Sequence, residues 1–166
     1  MDQDYFHYAI NARADYEIFL LIPEQERVQS AKFDARMCGL HSASVLGFNE
    51  VPSLLARHEI LAKNWREGWL DSRLWEARSV FESSMMPNAD PALLETSYTA
   101  SFECGRIGFG LNVEGTPFML VGNAALADGW NDGRKKAAED YAQCRQSLDV
   151  RLSMGAEHPI TINQAD

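Results

Sequence analysis

The stretch NWREGWLDSR, Asn64 to Arg73, returns past the middle of the chain as LADGWNDGR, Leu126 to Arg134. In both, a Gly-Trp step is followed by aspartate two residues after the tryptophan and arginine two residues later, at Gly68, Trp69, Asp71 and Arg73 and again at Gly129, Trp130, Asp132 and Arg134. Around the first copy, Leu54, Leu61, Trp65, Gly68 and Trp75 recur at helical intervals. Around the second, Leu126, Trp130, Gly133, Ala137, Tyr141, Cys144, Leu148 and Leu152 step by three and four, keeping one stripe on one face of a long helix.

Upstream of each copy the same order of marks repeats. SAKF, ending at Phe33, answers TASF, ending at Phe102; Gly39 and Gly108 each follow six residues later; Pro52 and Pro117 stand in the two connectors. A helix beginning after Pro23 and running toward Leu46, with Gly47 as its stop, answers one beginning at Pro91 and running toward Asn112. Ordered recurrence of this kind marks an internal repeat. The breaker cluster PNADP, residues 87–91, separates the copies. The reading is an all-α fold: an N-terminal helix (1–22), a first helical hairpin (23–86), a second (91–155) and a tail (156–166), with the hairpins related by a pseudo-two-fold. The alternation of Tyr98, Ala100, Phe102 and Cys104, with Glu114-Gly115 as a turn, supplies a β-hairpin alternative for residues 97–121.

Glycine inside a helix weakens it unless the missing side chain lets another backbone come close. Gly39 with Gly68, and Gly108 with Gly129, are therefore the expected crossing points of the paired helices. The helix before Pro23 carries Tyr5, Tyr8, Ala9, Ala12, Tyr16, Phe19 and Leu20 on a wide apolar face.

Composition narrows the function classes. The 166 residues are 46% apolar, enough for a core without staples, and 15 basic against 24 acidic side chains leave a formal charge of −9. Such a field repels phosphate backbones, so direct nucleic-acid binding is disfavoured. Cys38, Cys104 and Cys144 form no CxxC pair and leave an odd thiol, as in a reducing cytoplasm. MDQDYFHYAI lacks the basic start of an export signal, and the longest apolar run, Ile18 to Ile22, is too short to cross a bilayer. The expectation is a cytoplasmic protein with no membrane partner.

Chemistry-bearing motifs are sparse. Cys38 and His41, three apart, are half of a zinc site without a second half, so no metal is expected. GRIGFG, Gly105 to Gly110, spells neither GxGxxG nor a P-loop. No catalytic residue and no cofactor are assigned. Arg66 and Arg73 in one copy and Arg134 and Lys135 in the other form a candidate cationic strip beside Trp69 and Trp130, and these six are the candidate binding residues. The plainer alternative is solvated arginines paired with Glu67, Asp71, Asp132 and Glu139, helped by i,i+4 pairs of Asp132 with Lys136 and Lys135 with Glu139.

Each copy, ARMCGLHSASVLGFNEVP with NWREGWLDSR and CGRIGFGLNVEGTPF with LADGWNDGR, resembles the ribosome modulation factor family over residues 32–76 and 101–140. The resemblance implies helical hairpins and, for the founding members, binding to the small ribosomal subunit without catalysis. It also implies a remoter alternative, a small-molecule kinase acting with ATP. Family members are basic, whereas here residues 33–76 hold five basic and six acidic side chains and residues 102–140 four and six. The counterion-release term in rRNA affinity is thereby removed. The expected activity is thus a non-enzymatic regulatory or inhibitory protein docking helix faces on a protein or ribonucleoprotein partner, with Asp2, Asp4, Asp15 and Glu17 available as a duplex mimic. A homo-oligomer is compatible with this pattern.

Overall fold

Pro23 and the five-residue breaker cluster divide the chain where the sequence places them. The computed structural model describes residues 3–43 and 50–155. Six α-helices follow in order: α1 (Gln3–Leu21), α2 (Gln25–His41), the single turn α3 (Ser53–Ala56), α4 (Glu59–Ser84), α5 (Ala92–Gly110) and α6 (Ala124–Gly155), with a 3-10 turn at Phe118–Leu120. No strand occurs among the described residues, and residues 92–110 are helical, which corrects the hairpin alternative for 97–121. The tyrosine-alanine alternation there is the accidental period of a helix whose inward stripe is small: Ser97, Ser101, Cys104, Gly105 and Gly108 are the buried residues.

Local chemistry sets the boundaries. Asp90 accepts a hydrogen bond from the Ala92 amide at 2.9 Å, opening α5. The far end closes as a Schellman motif: Asn112 takes a positive φ of 55°, the Val113 amide donates to the Gly108 carbonyl at 2.9 Å, and that of Asn112 donates to Phe109 at 3.1 Å. α2 is regular through His41, and Ser42 continues it in helical conformation (φ −59°, ψ −44°), donating its hydroxyl to the Cys38 carbonyl at 2.7 Å. Leu46 and Gly47 lie outside the described residues.

The helix expected to run unbroken from Leu54 is interrupted. Pro52 starts α3, His58 adopts an extended conformation (φ −118°, ψ 106°), and α4 begins at Glu59. The break lets Leu55 turn inward, where it is fully buried. After Pro117 the 3-10 turn does the same for Leu120.

Helices pair in the order α1 with α2, α2 with α4, α4 with α5 and α5 with α6. Two core clusters result. The first joins Tyr5, Ala9, Ala12, Ala31, Ala35, Cys38, Leu55, Leu61 and Trp65; the second joins Leu70, Leu74, Ala77, Cys104, Met119, Leu120, Leu126 and Trp130. The second cluster takes three residues from α4, so residues 87–91 divide the chain but not the core. Leu20, expected on the core face of α1, is exposed.

Candidate functional site: a charged cleft between two helices

The close helix crossings come first, because they set the shape of everything beside them. A Cβ on Gly39 would stand 1.9 Å from the Trp65 carbonyl oxygen, and one on Gly68 would stand 1.9 Å from that of Arg36. Backbone meets backbone at this crossing of α2 and α4. In the second pair the closest backbone approaches belong to Gly105, 2.1 Å from the Trp130 carbonyl oxygen, and Gly133, 2.0 Å from that of Phe102. These are one step along the helices from the glycines singled out in the sequence: a Cβ on Gly108 would meet the Trp130 ring at 2.2 Å, and one on Gly129 the Tyr98 carbonyl at 2.8 Å.

Trp65 and Trp130 fill the space around these crossings, 1% and 0% exposed. The Trp130 indole N–H donates to the Gly115 carbonyl at 3.0 Å, so Trp130, a candidate binding residue, is core and offers no surface to a partner. Beside it the Arg134 guanidinium lies 6.0 Å over the ring with Nη1 buried and unbonded, and Lys135 points to solvent. None of these three lines the recesses described next, where the other candidates lie.

Arg66, Trp69 and Arg73 do come together. With Ala43, Trp65, Glu103 and Ile107 they line a recess of about 590 Å³ where the end of α2 meets α4 and α5. A second recess of about 460 Å³, lined by Arg73, Ala92, Glu95, Thr96, Thr99, Ala100 and Glu103, adjoins it. Sharing Arg73 and Glu103, the two make one cleft between α4 and α5, with arginines on the first helix and carboxylates on the second. Trp69 is half-buried, with the Arg73 guanidinium 5.8 Å from the ring centroid. Arg73 also binds Glu76 on its own helix. Arg66 is exposed.

The ion pairs expected to quench these arginines go elsewhere. Glu67 faces Lys63, Asp71 accepts from Arg36 across the crossing, and Asp132 accepts from the Tyr98 hydroxyl at 2.7 Å. Lys136 pairs with Asp140 at 2.8 Å, not with Asp132. The bond to Asp132 holds the Tyr98 phenol above its usual range. The other wall of the cleft, Glu95, Thr96, Glu103 and Ile107, was not recognised in the sequence. Its signal was present: Glu95, Thr99 and Glu103 at four-residue spacing form a polar stripe beside the small residues of α5.

Of the acidic residues considered as a duplex mimic, Glu17 accepts from Arg13 at 2.7 Å, and Asp15 is partly buried near Asp34, whose carboxyl burial pushes up. Asp2 and the Asp4 side chain lie outside the described residues. Cys38 and Cys104 are buried, and burial pushes each thiol up to about 12, opposed at Cys104 by the nearby Arg73 charge. Among the described residues no group of three or more histidine, cysteine, aspartate or glutamate side chains is placed to hold a metal, and no helix is long and apolar enough to cross a membrane. No protein-family model, curated protein or solved structure matches the chain.

Proposed function

We propose that the protein is a non-enzymatic binding protein of the cytoplasm whose cleft between α4 and α5 receives a helical or extended segment of a protein partner, regulating that partner by occupancy. One observation carries this reading: Arg66, Trp69 and Arg73 line one recess with Glu103, and Arg73 and Glu103 line the adjoining one with Glu95. A cleft lined by both signs of charge and by Trp69 suits a polypeptide bearing acidic and basic side chains, whereas a phosphate backbone would meet its carboxylates unfavourably. Electrostatic complementarity of this kind fixes register more than it adds affinity.

Descent from a duplicated hairpin, and with it a pseudo-two-fold, is part of the same proposal. Pro52 and Pro117, Leu55 and Leu120, Leu61 and Leu126, Trp65 and Trp130, and Gly68 and Gly133 all match at one constant separation. Within these pairs Leu55, Leu120, Leu61, Leu126, Trp65 and Trp130 share near-complete burial. The reciprocal glycine-to-carbonyl contacts support this register, which is displaced by one turn from the alignment of the Gly-Trp steps. The ribosome modulation factor-like reading rests on those steps and stays the second proposal, favoured by the arginines at Arg66 and Arg73.

The test is affinity capture from lysate with and without nuclease, comparing the protein with Arg66→Glu/Arg73→Glu and with Glu95→Lys/Glu103→Lys. A protein partner retained after nuclease treatment and lost in both variants is the expected result. Co-sedimentation with small ribosomal subunits, lost only in the arginine variant, would move the assignment to the ribosome. A single-residue variant abolishing ATP turnover by the purified protein would overturn both.

A further inference from the structure

The constant separation that relates Trp65 to Trp130 extends to α1 and the far half of α4. Tyr5, Ala9 and Ala12, buried with Cys38 of α2, stand at that separation from Leu70, Leu74 and Ala77, buried with Cys104 of α5. So does the Arg13–Glu17 pair at 2.7 Å from the Arg78–Glu82 pair at 2.8 Å. α2 and α5 match at one residue more. Gly39 there answers Gly105, and a Cβ on either would stand 1.9 or 2.1 Å from the carbonyl oxygen of Trp65 or Trp130 respectively. In this register Tyr8 answers Arg73, and His41 answers Ile107.

The two positions behave differently in the two halves. Tyr8 and His41 stack between α1 and α2, with ring centroids 5.4 Å apart and planes 27° from parallel. Arg73 and Ile107 instead line the recess of about 590 Å³ beside Trp69. Resting on the reading of the cleft as a polypeptide site, we infer that the partner segment supplies a ring here: its anchor is an aromatic side chain held between Arg73 and Ile107. The lining chemistry selects a ring over an aliphatic side chain. A planar guanidinium gains from an aromatic face an attraction that a leucine cannot return, and the Arg73 guanidinium already lies 5.8 Å from the Trp69 ring centroid. Ile107 adds apolar contact to the flat of the ring. The recess falls within the range of small-molecule pockets, ample for one tyrosine or tryptophan side chain. Buried aromatic anchors of this kind carry much of the energy of peptide and protein interfaces.

The probes are N-acetyl-tyrosine amide and N-acetyl-leucine amide, titrated into the isotope-labelled full chain and followed by NMR at the Trp69 indole and the Arg73 Nε–H. The aromatic probe is expected to bind with a dissociation constant on the order of 1 mM, about 5-fold more tightly than the aliphatic one. Arg73→Tyr/Ile107→His installs the residues of the stack formed by Tyr8 and His41, and should abolish the shifts at Trp69. Arg73→Met keeps the stem and removes the planar cation. It should weaken the aromatic probe about 5-fold and leave the aliphatic one unchanged, which decides the matter even if the double variant fails to fold. Equal affinity for the two probes would overturn the inference, as would no shift with either at about 10 mM. So would aromatic binding that survives in the double variant. The cleft reading fails separately. A lysate partner still captured by Arg73→Tyr/Ile107→His, yet lost in Arg66→Glu/Arg73→Glu and Glu95→Lys/Glu103→Lys, would keep the cleft and remove the aromatic anchor; a partner indifferent to all three would remove both.

Discussion

Gly39 and Trp65 stand so close across the α2–α4 crossing that a Cβ on the glycine would lie 1.9 Å from the tryptophan carbonyl oxygen. Helix backbones cannot yield as a flexible side chain does. Gly39→Ala or Gly68→Ala should therefore cost about 3 kcal/mol or more, measured by urea denaturation. Gly110 meets nothing within 4 Å. There alanine should stabilise by up to about 1 kcal/mol, through helix propensity alone.

Trp130 holds the loop after α5 through one bond to the Gly115 carbonyl. Trp130→Phe removes the donor and part of a fully buried ring, so a loss of about 2–4 kcal/mol is expected in thermal or chemical unfolding. Trp65→Phe should cost less, because its indole reaches Ser42 only at 3.3 Å and that hydroxyl keeps its own bond to Cys38. A larger loss at Trp65 than at Trp130 would contradict this ranking.

Thiol chemistry separates the three cysteines. A thiol reagent should titrate one equivalent, Cys144, in the native protein and three after denaturation, since Cys38 and Cys104 are buried with thiols raised to about 12. The sign of the pH dependence follows. Both groups bind their protons more tightly folded than unfolded, so their contribution is complete below the ordinary thiol value near 9 and is lost as pH rises toward 12. Tyr5, raised by burial, acts in the same direction. Stability should fall steadily above pH 9, and Cys38→Ala/Cys104→Ala should flatten that slope whatever it does to stability at neutral pH.

Surface charge should matter little to folding. Arg36 binds Asp71 across the first crossing with half of its side chain in solvent. Arg36→Met should cost under about 1 kcal/mol, less in high salt. A larger loss would mean that this pair, not the glycine contact beneath it, fixes the angle between α2 and α4.

Which parts were readable in advance depended on how local the cause was. Prolines 23 and 91 and the cluster at 87–91 act on their own neighbours, and the helices begin and end beside them. The interruption at Arg57–His58 was not readable, because its cause is tertiary: Leu55 turns into a core assembled largely by other helices. The register of the second crossing was missed for a similar reason. Gly105, Gly108, Gly129 and Gly133 are equally permissive as residues, and only the meeting of the two backbones tells which pair touches. Arg66, Trp69 and Arg73 share a helix face and were found; Glu95 and Glu103 belong to a helix whose position relative to that face no spacing reveals.

α4 supplies Leu61 and Trp65 to one cluster of buried side chains and Leu70, Leu74 and Ala77 to the other. It is a common spine, and neither half of the molecule owns it. A chain cut after residue 86 would carry the lower part of that spine with its apolar side bare, and one begun at residue 91 would lack a wall. Melting should accordingly be a single event, and neither half is a cassette that can be transplanted without taking the long helix along.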